Sequence, residues 1–275
     1  MNNREFLPLV SVVVPTFNAR RTIGQCLQSV EKQTYSSLET IVVDRYSTDD
    51  TQQIVRRHQA KLFFQNSERS AAKNFGAKKA KGDFLLFADS DMDLDRKIVE
   101  ECVELCLEKG FNAAVIPEIT VADNFVARCR KLERELYDND PNFFLMPRFF
   151  ERHTFFDAGG FDETLVCGED FDLARRYEKR GYRIGTARWQ IRHLEGNLPL
   201  RKIVLKAHYY GKSLRSFLSK EPTLVLRGYC PTRFAWNIRS LLKHPAYSVG
   251  LAMIKLLEYT AYLTGIFADV LGRTF

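Results

Sequence analysis

Along the N-terminal half of this 275-residue chain, short unbroken apolar runs alternate with stretches whose apolar residues recur every three or four positions. Leu9–Pro15 (LVSVVVP) is continuous, β-branched and closed by proline, the pattern of a strand buried on both faces. Arg20–Gln33 places Ile23, Leu27 and Val30 at helical spacing, and Glu39–Asp44 (ETIVVD) returns to a buried strand. The same alternation predicts a helix over Asp50–Ala60, a short strand over Lys61–Phe64, a helix over Ser67–Lys81 stopped by Gly82, and a strand over Asp83–Ala88. A helix over Asp93–Lys109, with Ile98, Cys102 and Leu105 inward and Gly110 as its stop, and a strand over Asn112–Pro117 complete the series.

Strands and helices in this order build βαβ units. The fold class is therefore α/β, a mixed, mostly parallel sheet flanked by helices, with right-handed crossovers. Ligands of such sheets sit at the carboxyl ends of the strands. There the chain places Thr16 and Asn18, then Asp44 and Ser47, then Asp89 and Asp91, so three successive strands deliver polar groups to one edge. After Val121 the alternation weakens. Asn124–Tyr137 reads as an amphipathic helix, Asn142–Pro147 as a strand and Glu169–Arg180 as a helix ended by Gly181. Residues 200–275 read as mainly helical, with breaks near Pro222, Gly228, Pro231 and Pro245, which divides the chain into a 1–199 domain and a 200–275 extension.

The net charge of +7 points toward nucleic acid until it is located along the chain. From Arg201 onward there are 12 Lys+Arg and 3 Asp+Glu, whereas the preceding 200 residues carry 29 and 31. The main body has no basic excess, and no nucleic-acid partner is expected, although Tyr209, Tyr210, Tyr229 and Trp236 interleave with the basic tail. Six cysteines lack any C-x-x-C pair and no secretory leader precedes Leu9, so a reducing cytoplasm is the expected compartment. Cys102 and Cys106 read as small buried apolar residues. G-x-G-x-x-G and G-x-x-x-x-G-K-[ST] are both absent, which removes dinucleotide and P-loop chemistry.

Asp89-Ser90-Asp91 follows a buried strand, and two carboxylates one residue apart at a strand end can share Mg²⁺ or Mn²⁺. Asp and Ser are also ordinary turn residues, so the specificity lies in the company this motif keeps. The ordered set is V-P-T-F-N (Val14–Asn18), V-V-D-R-Y-S-T-D-D-T (Val42–Thr51), A-A-K-N-F-G (Ala71–Gly76), D-F-L-L-F-A-D-S-D (Asp83–Asp91), G-G-F-D-E (Gly159–Glu163) and G-E-D-F-D-L-A-R-R (Gly168–Arg176). Together these strongly resemble the family 2 glycosyltransferases of the GT-A fold, over roughly residues 9–195.

The resemblance implies transfer of a sugar from a nucleotide-sugar with inversion at the anomeric carbon, and a divalent cation, Mn²⁺ or Mg²⁺, on the diphosphate. UDP-sugars are the favoured donors, with GDP- and dTDP-sugars open. It implies that Thr16 and Asn18 lie along the nucleotide, that Asp44 accepts from the base or ribose, and that Lys73 helps hold the donor. Asp89 and Ser90 would line the donor site, Asp89 close to ribose and metal, and Asp91 would bind the metal directly. Asp170 in the E-D pair would be the general base, and His193 resembles a histidine that ligates the metal in some members. Read as residues alone, His193 is a strand-end histidine, Asp44 a helix N-cap or turn aspartate, and Asp170 a carboxylate favoured by a helix N-terminus.

A sugar hydroxyl must lose a proton as it attacks, whereas a phosphate acceptor is already ionised, so the E-D pair favours a hydroxyl acceptor over a polyprenyl phosphate. Arg188-Trp189 lacks a Gln three residues ahead, because position 185 is Gly, and transfer of one sugar per encounter is expected over processive synthesis. An inactive nucleotide-sugar-binding scaffold would have lost Asp91 or Asp170, and both are present. In Val249–Leu271, Lys255, Glu258, Tyr262, Gly265 and Asp269 form one narrow polar stripe on an otherwise apolar helix, while Arg201–Lys243 carries ten basic residues and one acid. This predicts peripheral association with the cytoplasmic face of a membrane, near a glycan or glycolipid acceptor. The other reading is a helical cap that helps form the acceptor pocket. Oligomeric state is not legible.

Overall fold

The computed structural model describes residues 7–138, 146–220 and 237–272. Its first half runs β1 (Val10–Thr16), α1 (Ile23–Glu31), β2 (Leu38–Asp44), α2 (Thr51–Val55), β3 (Ala60–Phe64), α3 (Arg69–Lys79), β4 (Phe84–Phe87), β5 (Met92–Leu94), α4 (Ile98–Leu107) and β6 (Ala113–Val115). There follow β7 (Glu118–Ala122), α5 (Phe125–Asp138), β8 (Pro147–Glu151), α6 (Arg152–Asp157), α7 (Glu169–Lys179), β9 (Ile184–Thr186), β10 (Ile191–Gly196), α8 (Leu200–Lys220), α9 (Ile238–Lys243) and α10 (Pro245–Gly272).

One compact unit comprises Met1–Glu118, Leu145–Glu163 and Asp172–His193. Its sheet has the order β3-β2-β1-β4-β8-β6-β9. β1 pairs in parallel with β2 and β4, and β8 is antiparallel to both β4 and β6. The period of two along β1 sorts its valines onto two faces. Val10, Val12 and Val14 join Ile23 and Leu27 of α1 and Ile98 and Cys102 of α4 in one buried cluster. Val13 joins Ile41, Val43, Ala77 of α3 and the aromatic group Phe87, Phe150, Phe155 and Phe161 in the other. A Cβ on Gly76 would overlap the Val13 side chain, so glycine there lets α3 lie close on the sheet.

The mixed, mostly parallel sheet agrees with the pattern read from the sequence, and the differences are local. The helix expected over Asp93–Lys109 begins at Ile98, because Asp93 is taken into β5. β5 pairs antiparallel with β10, Leu94 opposite Ile191, Asp93 opposite Arg192 and Met92 opposite His193. The strand expected at Asn142–Pro147 falls mostly on residues outside those described, and the described strand runs from Pro147 to Glu151. Three-residue strands such as β5, β6 and β9 are too short to show a period, so pairing with distant strands decides them.

The second unit comprises Ile119–Phe144, Thr164–Phe171 and Leu194–Phe275. Ala127, Cys129, Leu132 and Leu136 of α5 pack with Leu198, Ile203 of α8 and Leu251 and Ile254 of α10. The backbones of α8 and α10 approach closely enough that a Cβ on Gly211 would overlap the Tyr262 carbonyl, and one on Gly265 the His208 carbonyl. α10 starts at Pro245, as expected of a proline that supplies no N–H to the preceding turn. The breaks expected at Pro222, Gly228 and Pro231, and the residues Tyr229 and Trp236, lie outside the described residues.

Candidate active site

Parallel register brings the strand ends together: Thr16 is the partner of Asp44, and β4 ends opposite Val13, so Asp89 emerges beside them. Thr16 is buried, and its Oγ1 makes no hydrogen bond among the described residues. Asp44 is fully buried. Its Oδ1 accepts from the Ser47 N–H at 2.8 Å and from Gln52 Nε2 at 3.2 Å, and its Oδ2 accepts from Ser47 Oγ at 2.5 Å. Asn18 sits at φ +49°, in the left-handed region that asparagine tolerates. Its N–H donates to Ser47 Oγ at 2.8 Å while its Oδ1 accepts from the Thr48 N–H at 2.9 Å. Asp44 and Asn18 thus shape the loop between β2 and α2 in the way a turn aspartate does.

Beyond β4 the chain turns through Asp89-Ser90-Asp91 into β5. Asp89 accepts from Arg148 Nη1 of β8 at 3.3 Å. Burial alone would raise the Asp89 carboxyl, but Arg148, with Lys73, Arg69 and His193 around it, holds it well below the usual carboxylate range. Arg148 also donates through Nε to Glu118 Oε1 at 2.6 Å. Because Met92 is the register partner of His193, the imidazole lies next to Asp91, with Nε2 3.3 Å from Asp91 Oδ2. Its Nδ1 lies 3.4 Å from Glu118 Oε2. Burial would lower the His193 pKa, yet the two flanking carboxylates outweigh it and push it up to about 9. Asp91 and His193 are brought together. Among the described residues no three His, Cys, Asp or Glu side chains form a group able to hold an ion.

Lys73 is buried in α3, with Nζ 4.6 Å from the centre of the Phe161 ring. Its neighbour Asn74 donates to the Phe161 carbonyl at 2.8 Å and accepts from the Phe161 N–H at 2.9 Å. Gly160 has φ +67°, and a Cβ there would meet Asn74 Oδ1 at 2.8 Å. Arg176 donates to the Gly160 carbonyl at 2.7 Å and to Asp172 Oδ2 at 2.6 Å. The A-A-K-N-F-G and G-G-F-D-E segments, and the D-L-A-R-R part of the last motif, therefore form one hydrogen-bonded assembly. Glu169 is buried and Asp170 half-buried on the first turn of α7, after Gly168 at φ +80°. Both belong to the Thr164–Phe171 segment of the other compact unit.

Sequence reading missed Glu118, Arg148 and Gln52. Glu118 follows Pro117 at the end of an apolar run, the same signal that marked Asp44 and Asp89, and could have been found by it. Arg148 had no such signal, since only its strand pairing turns it toward Asp89.

A sequence profile described as Glycosyl transferase family 2 matches residues 11–162. The poly(ribitol-phosphate) beta-N-acetylglucosaminyltransferase TarS of Staphylococcus aureus is 32% identical over 127 residues, 39% of this chain and 22% of that protein. A GalNAc(5)-diNAcBac-PP-undecaprenol beta-1,3-glucosyltransferase of Campylobacter jejuni is 34% identical over 96 residues, 32% of this chain and 31% of that one. This chain spans less than half the length of the first curated relatives it matches. Among solved structures, the mannosyltransferase PcManGT from Pyrobaculum calidifontis, in complex with GDP-Man and Mn²⁺, superposes with a TM-score of 0.63 at 16% identity over 97% of this chain and 88% of that one. TarS residues 1–349 with UDP-GlcNAc give 0.54 at 20% identity, over 95% and 89%. At these identities the superpositions establish a shared fold.

Proposed function

Because this chain belongs to glycosyl transferase family 2, we propose that it transfers a single sugar, with inversion, from a nucleotide-diphosphate sugar to a hydroxyl acceptor, in a metal-dependent reaction. The supporting observation is the Asp91–His193 pair, held by the β5–β10 register beside the strand ends that carry Thr16, Asp44 and Asp89. One carboxylate and one imidazole 3.3 Å apart suit Mn²⁺ or Mg²⁺ when diphosphate oxygens supply further ligands. Asp91 and His193 would hold the ion. When bound, it supplies Lewis-acid neutralisation of the charge that builds on the departing nucleoside diphosphate.

The chain's own groups do the rest. The unbonded Thr16 hydroxyl is a ready partner for the nucleotide, and the loop shaped by Asp44 and Asn18 lines the base and ribose side. Asp89 and Ser90 complete the donor edge. Lys73 adds a buried positive charge behind the diphosphate. Asp170 takes the acceptor's proton as the hydroxyl attacks the anomeric carbon from the face opposite the leaving group, in one displacement without a covalent intermediate. Residues 1–199 form the transferase domain, and residues 200–275 serve the acceptor side. UDP-sugar is the donor we favour. The acceptor is a lipid-linked or membrane-proximal glycan, and the enzyme sits at the cytoplasmic face.

Calorimetric titration with UDP tests the donor site. Affinity should require Mn²⁺ and be lost in excess chelator and in Asp91→Ala; equal affinity in all three overturns it. With a UDP-sugar panel and a glycan acceptor, Asp170→Asn should lower turnover on the order of 10²–10⁴-fold and leave UDP affinity unchanged. Unaltered turnover would mean an acceptor already ionised, as a polyprenyl phosphate is.

A further inference from the structure

Most helices of a folded protein turn apolar residues inward and charges outward. α10 turns its charges inward as well and leaves a second apolar face outside. Its only charged residues between Pro245 and Ala268 are Lys255 and Glu258, and both face α5. Lys255 Nζ donates to Glu133 Oε1 at 2.9 Å and to Glu258 Oε2 at 2.7 Å, and Arg130 Nη1 donates to Glu258 Oε1 at 3.0 Å. Arg130 also pairs with Glu133, which accepts from Tyr137 Oη at 2.9 Å.

On the opposite side Val249, Met253, Leu256, Leu263 and Phe267 follow one another at helical spacing and are exposed, Leu256 by 68% and Phe267 by 65%. This face carries no charge from Val249 to Ala268. Ile238 and Leu242 of α9 add exposed apolar side chains, flanked by the exposed Arg239 and Lys243. An apolar face of this length, interrupted by Thr260, marks an interaction surface.

We propose that α10 lies in the plane of an anionic bilayer surface, with Val249, Met253, Leu256, Leu263 and Phe267 immersed and Arg239 and Lys243 of α9 on the headgroups. Charge complementarity selects lipid over a second copy. The exposed Arg239 and Lys243 flank Ile238 and Leu242, so two copies joined there would bring like charges together, whereas an anionic leaflet neutralises them. By length and composition Pro245–Ala268 could also cross a membrane. The packing on α5 argues for the plane. α5 presents exposed Arg128, Lys131 and Glu135, and a crossing α10 would carry them into hydrocarbon, where each charge is costly. The inference extends the membrane-proximal acceptor proposed above and rests on that reading. Its test uses no donor and no acceptor, so either can fail without the other.

The full chain is sedimented with vesicles of phosphatidylglycerol and phosphatidylcholine, and with phosphatidylcholine alone. Binding should require the anionic lipid and weaken as salt rises. The double variant L256E/F267E should bind on the order of tenfold or more less tightly, with an unchanged melting temperature, because both side chains are exposed. An environment-sensitive dye on Met253→Cys, in a chain whose own cysteines are replaced by Ala or Ser, should be quenched more by shallow than by deep lipid-borne quenchers. Failure to bind, binding indifferent to L256E/F267E, or deep quenching equal to shallow each overturns the proposal. So does a dimer in sedimentation velocity that the same double variant dissociates.

Discussion

Glu118 bears on the proposed donor site through the His193 ring. Its Oε1 takes the Arg148 hydrogen bond and its Oε2 faces His193 Nδ1 at 3.4 Å, leaving Nε2 directed to Asp91. A carboxylate behind a ligating imidazole fixes the ring orientation and raises its basicity. Glu118→Gln should therefore lower Mn²⁺-dependent UDP affinity on the order of 10–100-fold, with metal-free affinity unchanged. Calorimetry in Mn²⁺ and in chelator separates the two. A parallel loss in both would assign Glu118 to folding through Arg148. Arg148 itself is the costlier position, because removing it takes from the half-buried Asp89 carboxylate the cation that does most to keep it ionised.

At the scale of elements, the α5–α10 pair is held by apolar packing around a buried four-charge network. Burial alone would raise the Glu133 carboxyl, but Arg130 and Lys255 outweigh it and hold it below its ordinary value of 4.5. For Lys255, burial would lower the ammonium, and Glu133 with Glu258 raises it instead. A depressed carboxylate stabilises the fold above its unfolded pKa and loses that contribution as pH falls through the folded value. A raised ammonium contributes below its unfolded pKa and loses its share as pH climbs through the folded value. The helix pair is therefore most stable across the neutral range and weakens first on the acid side, below about 4.5. In Glu133→Gln the neutral melting temperature should fall, and the loss between neutral and acid pH should shrink relative to the parent. A parallel displacement of the whole profile would show that Glu133 does not titrate in unfolding.

For the whole molecule, the interleaving of the two compact units decides what a truncation does. Residues 119–144 lie in the middle of the chain, yet their apolar face is covered from the C-terminal part. Ending the chain at Pro199 removes Ile203, Leu251 and Ile254 from Ala127, Leu132 and Leu136. Burial of such side chains stabilises by about 1.5–3 kcal/mol each. The shortened protein should bind a hydrophobic dye, self-associate in sedimentation and melt at lower temperature than the full chain. A monomer with an unchanged melting temperature would show that α5 needs no cover.

Apart from β5, the sequence by itself determined the elements up to Val115 and the polar residues at the strand ends, because those features are local. A β-branched run ending in Thr16, Asp44 or Asp89 announces both a buried strand and the polar residue that leaves it. What pairs across long separations was left to the tertiary structure. β5 and β10 are short and lie about a hundred residues apart, and only their register sets His193 beside Asp91. Arg148 reaches Asp89 only because β8 runs antiparallel beside β4. In the same way, the spacing of Lys255 and Glu258 showed a polar stripe on a helix but not the direction it faces. Arg130 and Glu133, more than a hundred residues earlier, draw that stripe inward and leave the apolar face outside. Periodicity records which residues share a face, and the choice of which face is covered belongs to the partner the chain folds against.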